Sequence, residues 1–315
     1  VKIISHQFKK GRNSIMETLN YEVLKKSGYD GYIKESAPEK VMQFGEGNFL
    51  RAFVDYFFDC ANEKADWNGK VVLVQPIAQG LTKLINDQEG LYTLYLRGSE
   101  KGEKVDLKRV ISSVSRCINP YDDFDAVLEL AKSDDLEYIV SNTTEAGIVH
   151  ESESKFDQCP PISFPAKLTQ VLYHRYKAGK KGIIMLACEL IDNNGKELLK
   201  CVNQYIEQWN LEEGFKKYVN EECTFCGSLV DRIVPGRIRD PQEVARLEEE
   251  NKYSDPLTDV GEVFGLWVIE GDEKLNDVLP FKKAGLIDRV FVTPDMSPYK
   301  KRKVRILNGA HTSFV

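Results

Sequence analysis

The fold is decided by residues 41–51, which read Val-Met-Gln-Phe-Gly-Glu-Gly-Asn-Phe-Leu-Arg. An apolar strand, Val41–Phe44, leads into a turn containing Gly45 and Gly47, and a predicted helix follows. Two glycines permit a tight turn and let the backbone approach a pyrophosphate, which the free N–H groups at the helix start would bind. The third glycine of the usual dinucleotide fingerprint is absent, because Leu50 takes its place. The stretch therefore favours a dinucleotide site, with an ordinary strand-to-helix turn as the alternative.

Strands and helices alternate along the rest of the chain. Apolar runs predict buried strands at 71–74, 137–141, 182–187, 228–234, 263–269 and 289–292. Between them, helical periodicity predicts helices over 48–64, 167–178 and 196–210, and one that starts at Pro120 and ends near Lys132. The runs 91–97 and 105–111 predict a hairpin joined by the loop 98–103. This alternation predicts a Rossmann-like α/β fold with a doubly wound, mostly parallel sheet.

A domain boundary is predicted late in the chain, at the sequence Thr293-Pro-Asp-Met-Ser-Pro298. Ser297 can cap a helix there, and Pro298 can occupy its first position. We therefore assign residues 1–293 to a dinucleotide-binding domain with an N-terminal extension. Residues 294–315 are interpreted as the start of a helical substrate domain that is incomplete.

Composition narrows the class of protein. The chain has 315 residues, 42% of them hydrophobic, and a net charge of −6. A general nucleic-acid binder would be basic, and no apolar run approaches the roughly 20 residues that cross a bilayer. The seven cysteines form no disulfide framework, so we expect a cytoplasmic protein.

A structural zinc site is the competing interpretation of two of these cysteines. Cys223 and Cys226 form a Cys-x2-Cys pair, but a zinc site needs a second pair or suitably spaced histidines. The four histidines offer no such spacing. We therefore expect no metal and interpret the cysteines as small core residues.

Polar residues follow several of the predicted strands, which is where ligands of such sheets bind. Gln75 ends the second strand, at the position that contacts the adenosine ribose; no arginine follows to bind a 2′-phosphate, so we expect NAD. After the strand over 137–141 come further candidates for cofactor contacts, namely Asn142, Thr143, Thr144 and Glu145.

Two acidic residues at later strand ends are candidate substrate ligands. Glu189 follows the strand over 182–187, and Asp231 lies in the run 228–234. The alternative is that the first caps a loop and that Asp231 and Arg232 form a buried ion pair. A cofactor cleft becomes the better interpretation when these residues are taken together with the glycine turn.

The last thirteen residues bring a lysine, an asparagine and a histidine together. At about 100° per residue, Lys303, Asn308 and His311 share one side of a predicted helix. Residues 300–303 are four consecutive cations, which would attract an anionic substrate. The alternative is a solvated basic cap on an ordinary amphipathic helix.

These pieces resemble the polyol-specific long-chain dehydrogenases, the mannitol dehydrogenase family. The matching motifs are Lys-x4-Asn-x2-His at Lys303, Asn308 and His311, Gly-x-Gly-x-Phe-x-Arg at Gly45, Gly47, Phe49 and Arg51, and Thr-Glu-x-Gly at 144–147. Cys188-Glu-Leu-Ile-Asp192 resembles a branch that acts on hexuronates. Mannitol-type members have Cys-Asp-Asn where this chain has Cys188-Glu189-Leu190, which argues against mannitol as the substrate.

The resemblance implies an oxidoreductase that uses NAD to reduce a keto-hexuronate reversibly and without a metal. Lys303 would exchange the proton, Asn308 would polarise the carbonyl and His311 would orient an oxygen. The implied cofactor contacts in the first turn are Gly45, Gly47, Asn48, Phe49 and Arg51. The implied substrate contacts are Asp231, Glu189, Lys300 and Arg305, the two cations being candidates for the uronate carboxylate.

Two kinds of alternative stay open. Fructuronate reductase or a mannitol or mannitol-phosphate dehydrogenase would be a sibling activity within the family. An NAD-binding domain without turnover would be a different class of protein. The sequence leaves the oligomeric state undetermined.

Overall fold

The computed structural model describes residues 16–303, and its strands follow the predicted alternation. They are β1 Glu39–Phe44, β2 Lys70–Val74, β3 Tyr92–Glu100, β4 Glu103–Ile111, β5 Val114–Ile118, β6 Tyr138–Ser141, β7 Ile184–Ala187, β8 Thr224–Asp231, β9 Asp259–Glu262, β10 Leu266–Glu270 and β11 Val290–Thr293.

Eleven α-helices and two π-helical segments are present in the same residues. The α-helices are α1 Tyr21–Ser27, α2 Asn48–Leu50, α3 Tyr56–Ala65, α4 Thr82–Asp87, α5 Phe124–Ala131, α6 Phe164–Lys177, α7 Asn194–Gln208, α8 Glu213–Lys217, α9 Pro241–Asn251, α10 Leu275–Val278 and α11 Ser297–Arg302. The π-helical segments Arg51–Asp55 and Tyr218–Glu222 continue α2 into α3 and extend α8. Within residues 16–303, no helix is both long enough and apolar enough to span a bilayer.

The main sheet confirms the prediction of a doubly wound, mostly parallel fold. Its order is β11-β10-β8-β7-β6-β1-β2-β5, and only the β8–β10 pair runs antiparallel. The strand order reverses at β1, which lies between β2 and β6. The carboxyl ends of β1 and β6 therefore form the switch point at which such sheets bind ligands.

Alternating side chains place a core on each face of this sheet. On β1 and β2, Val41 and Leu73 join a cluster with the aromatic residues of α3, whereas Met42 and Val72 join a second cluster under α5, α6 and α7. A strand directs successive side chains to opposite faces, and strands buried on both faces are continuously apolar. The burial of all five residues of β2 has this cause.

A second, smaller sheet contains the predicted hairpin. Its order is β4-β3-β9, with β3 and β4 antiparallel. The strands extend into the predicted loop, so that only Lys101 and Gly102 form the turn, both with positive φ (53° and 84°). Two-residue hairpin turns favour this backbone conformation, because its twist matches that of the strands.

Two predicted helix starts are corrected. The helix expected from Pro120 begins at Phe124, because the Asp123 carboxylate accepts a hydrogen bond from Ala126 N and caps it there. Ser297 is the first residue of α11 rather than its cap, and Met296 occupies the cap position. The Asp295 carboxylate accepts a hydrogen bond from Ser297 N (2.8 Å).

Candidate active site

The glycine turn follows β1 and contacts the ends of β2 and β6. Gly45 has a φ of +129° and its N–H donates to Val74 O (3.0 Å). A Cβ atom at this position would lie 2.9 Å from Leu50 Cδ1 and 3.1 Å from Asn142 O. Only glycine fits, because the turn has an unusual backbone conformation and is packed against both its own helix and the end of β6.

Gly47 and Asn48 form the exposed side of the same turn. Gly47 is the N-cap of a helical run that continues to Ala65, and a Cβ there would meet no atom within 4 Å. The open space in front of free helix N–H groups suits an anionic group such as a pyrophosphate. The residues present therefore fit the phosphates of a dinucleotide, with the backbone of 47–49 as donor.

Arg51, predicted to bind the cofactor, lies beneath the turn and is hydrogen-bonded within the protein. The side chain is 2% exposed, and its guanidinium donates to Glu46 O (3.2 Å), Leu257 O (2.7 Å) and Asn48 Oδ1 (2.6 Å). It also lies 3.7 Å from the buried Asp259 carboxylate. Since its donors are used within the protein, Arg51 fixes the shape of the turn from below.

Gln75, expected to hold the ribose, is also engaged internally. Its Nε2 donates to Ile77 O (2.7 Å), and its Oε1 accepts from Thr82 Oγ1 (2.7 Å). The side chain is 2% exposed. Gln75 therefore folds back to fix the loop 76–81. The Glu46 carboxylate, which sequence reasoning missed, also lies beside this loop: a Cβ at Gly80 would be 2.4 Å from Glu46 Oε1 and 2.5 Å from Gln75 Oε1.

The loop after β6 is organised by Glu189, which was predicted to contact the substrate. Its carboxylate accepts from Ser141 Oγ, Thr143 N and Thr143 Oγ1, each at 3.1 Å, and the residue is 1% exposed. Burial raises the pKa of Glu189, and the hydrogen bonds from Thr143 and Ser141 partly offset that effect. Glu189 thus positions the loop, and its contact with a substrate stays a prediction. Thr144 and Glu145, at its tip, are exposed and Thr144 has a φ of +71°.

Asn194 connects the ends of β7 and β8, and the sequence analysis did not single it out. Its Nδ2 donates to Ala187 O, Glu189 O and Ser228 O, all within 3.0 Å, and its Oδ1 accepts from Gly195 N and Ser228 N. The residue is 1% exposed. The only sequence signal is an Asn-Asn-Gly run between a strand and a helix, which is typical of any turn.

Lys303 reaches the end of β8. Its Nζ donates to Val230 O (2.7 Å) and lies 3.3 Å from Asp231 Oδ1; the two side chains are 20% and 16% exposed. Lys300 pairs with Asp192, in the loop after β7. Helix α11 therefore crosses the carboxyl ends of β7 and β8 and brings Lys303 to Asp231. The other predicted residues of this region, Arg305, Asn308 and His311, lie outside the described residues.

The alternative of a buried pair between Asp231 and Arg232 is wrong. Arg232 points away from Asp231, donates to Ala52 O and Phe264 O, and stacks on the Tyr56 ring (4.8 Å). Burial lowers the pKa of Arg232 to about 10. Asp231 therefore pairs with Lys303 and not with Arg232.

The segment after β8 brings the Lys303 region toward the glycine turn. Gly236 has a φ of +83°, and a Cβ there would lie 2.4 Å from Asn48 Nδ2. The chain thus passes from Asp231 to the exposed side of the turn within five residues. The lysine and the proposed phosphate cradle line the same edge of the sheet.

The described residues do not provide a cluster suited to a metal. Among residues 16–303, no three His, Cys, Asp or Glu side chains come together as ligands. Burial raises the pKa of the Cys223 and Cys226 thiols to about 11 and about 12, as it does for thiols in a protein core.

Comparison with known sequences identifies the family of the chain. Residues 39–283 match the family described as the mannitol dehydrogenase Rossmann domain. The altronate oxidoreductase of Bacillus subtilis is 47% identical over 295 residues, which cover 92% of this chain and 60% of that protein. The altronate oxidoreductase of Phocaeicola vulgatus is 45% identical over 283 residues, with 89% and 58% covered. The chain spans about three fifths of the length of these relatives.

Solved structures share the fold. D-sorbitol dehydrogenase in its substrate-free form superposes with a TM-score of 0.75 at 22% identity, covering 93% of this chain and 62% of that one. Mannitol 2-dehydrogenase of Pseudomonas fluorescens, solved with NAD and D-mannitol, gives 0.72 at 21% identity, covering 93% and 61%. From the extent of the sequence match, this chain belongs to the mannitol dehydrogenase family.

Proposed function

We propose that this chain carries the dinucleotide-binding half and the catalytic lysine of an NADH-dependent tagaturonate reductase, which forms altronate reversibly. The substrate pair is suggested by the relatives named altronate oxidoreductase. The observation that carries the proposal is the placement of Lys303 beside Asp231 at the same sheet edge as the glycine turn.

The position of Lys303 suits a proton donor. An ammonium group has three N–H donors, and the contacts with Val230 O and Asp231 orient two of them. The third can be directed at a substrate oxygen. The cofactor, when bound, supplies the hydride; Lys303 gives its proton to the developing alkoxide and, in the reverse direction, the amine takes a proton from the alcohol.

Neighbouring residues complete the proposed site. Asp231 holds Lys303 in place, and Lys300, which pairs with Asp192, is the proposed partner of the uronate carboxylate. Asn308 is proposed to donate a hydrogen bond to the substrate oxygen and His311 to orient it. We assign the cofactor phosphates to the backbone of Gly47–Phe49, and the nicotinamide side to the loop 142–145.

NADH oxidation with tagaturonate, fructuronate and fructose side by side tests the reaction. We expect turnover with tagaturonate. Turnover with fructuronate alone would reassign the substrate. Saturable NADH binding without turnover of any of the three would favour a binding domain.

Lys303→Ala tests the assigned proton donor, with Lys301→Ala as the matched control on an exposed position of the same helix. We expect Lys303→Ala to lower kcat by about 100-fold or more and to leave the Kd for NADH within about twofold, because the lysine acts on the substrate. Near-normal turnover of Lys303→Ala would contradict the assignment.

A further inference from the structure

The position after β2 that usually binds the adenosine ribose of a dinucleotide has no free acidic side chain in this protein. In sheets of this kind an acidic residue at the end of β2 binds the ribose 2′-hydroxyl. Here that position is Gln75, whose amide is used on Ile77 O and Thr82 Oγ1. The ribose position is therefore without its usual partner on β2.

The acidic side chain of Glu46, in the glycine turn, extends to this ribose position. Glu46 lies between Gly45 and Gly47, and its side chain extends to the loop after β2. A Cβ at Gly80 would lie 2.4 Å from Glu46 Oε1 and 2.5 Å from Gln75 Oε1, so the two side chains and Gly80 meet. Glu46 is 7% exposed, and a backbone hydrogen bond from Leu81 helps to hold its carboxylate.

The loop beside Glu46 offers no cation that would bind a 2′-phosphate. The loop 76–81 contains no lysine or arginine, and Lys83, just beyond it, is paired with Asp87. Arg51 uses its donors below the turn. Because Glu46 is 7% exposed, water would screen its carboxylate little from a nearby phosphate.

We propose that Glu46 is the specificity-determining residue of the cofactor site: it accepts the ribose 2′-hydroxyl of NAD(H) and excludes the 2′-phosphate of NADP(H). The inference rests on the proposed function only in that the chain binds a nicotinamide dinucleotide. It is independent of the sugar and of the proton donor.

Dissociation constants for NADH and NADPH, measured by nicotinamide fluorescence, test the proposal without turnover. We expect the chain to bind NADH at least about tenfold more tightly than NADPH, since a buried hydrogen bond to a charged group is worth about that factor or more. In Glu46→Gln, which has the same shape and no charge, the ratio should fall about tenfold through tighter NADPH binding. Asp87→Asn, a control acid on α4, should leave the ratio unchanged.

A second pair of probes isolates the adenosine half. Calorimetric titration with 5′-AMP and with 2′,5′-ADP should show the same preference in the unchanged chain and the same loss of preference in Glu46→Gln. Equal affinities of the unchanged chain for both probes, or a preference that survives in a folded Glu46→Gln variant, would overturn the proposal. Absence of any dinucleotide binding would overturn it together with the proposed function. NADH preference without turnover of any uronate would refute only the latter.

Discussion

Asp55→Asn should stabilise the protein, by an amount that grows with pH. Asp55 is fully buried in the π-helical segment after the glycine turn, where its Oδ2 accepts a long hydrogen bond from Tyr92 Oη (3.3 Å). Its Oδ1 and the buried Gln43 Oε1 have no hydrogen-bond donor among the described residues. These two oxygen atoms lack a donor only if Asp55 is ionised, because a protonated Asp55 carries an O–H that can donate. In Asp55→Asn, the amide N–H would supply that donor at every pH.

The magnitude follows from proton linkage. Burial raises the pKa of Asp55 from 3.8 to about 8, although Arg51 opposes the shift. Because the folded carboxyl binds its proton more tightly than the unfolded one, the free energy of unfolding falls as pH rises between these values, by at most about 1.4 kcal/mol per pH unit. Asparagine has no such dependence. We therefore expect the stability difference between Asp55→Asn and the unchanged chain to grow by about 3–4 kcal/mol from pH 5 to pH 8.

Urea unfolding followed by circular dichroism at pH 5, 6, 7 and 8 measures this difference. Asp87→Asn is the matched control, because Asp87 is exposed and paired with Lys83 at the surface; its effect should be flat across the range. A difference between Asp55→Asn and the unchanged chain that does not vary with pH would refute the assignment of a buried protonated acid. A loss of stability that increases with pH would show that the carboxylate is the form the fold requires.

Three further predictions concern the supports of the site. Gly45→Ala should weaken NADH binding by about tenfold or more in fluorescence titration, because its Cβ would crowd Leu50 and Asn142 O; unchanged affinity would contradict the strained turn. Arg51→Met should lower the free energy of unfolding by about 3–5 kcal/mol, whereas Arg116→Met, whose half-exposed guanidinium pairs with Glu39, should cost less than about 1 kcal/mol in the same urea assay. Asn194→Ala should cost about 2–4 kcal/mol, since several buried backbone groups lose their partner; a loss below that would mean that water replaces the amide.

The fold was largely predictable, because it depends on the alternation of apolar strands with helices and on the turn residues between them. A short apolar run such as 71–74, in a chain with this alternation, indicates a buried strand, and the structure confirms it. The boundaries were predicted less well. Gly98 and Ser99 look like loop residues, yet they remain in β3, because an exposed strand end tolerates polar side chains and the turn needs only two residues of positive φ.

Site residues were predictable as positions but not as roles. Arg51, Gln75 and Glu189 lie where the sequence placed them, at strand ends and in the glycine turn. The sequence cannot show whether such a polar group faces a ligand or satisfies the backbone of its own protein. That depends on partners such as Leu257 O, distant in sequence, which only the tertiary structure brings near. The roles of Lys303 and of the loop 142–145 stay predictions.

The contact between Lys303 and β8 has a consequence for the order in which the protein folds during synthesis. Val230 and Lys303 are 73 residues apart, and the strands that form the glycine turn all precede β8. Since chains leave the ribosome from the N-terminus, at about 5–20 residues per second, strands β1 to β8 are made several seconds before the lysine. Leu257, β10 and β11, which support the glycine turn and complete the sheet, are made in between. A released chain that ends just before residue 303 should therefore bind the cofactor while lacking its proton donor.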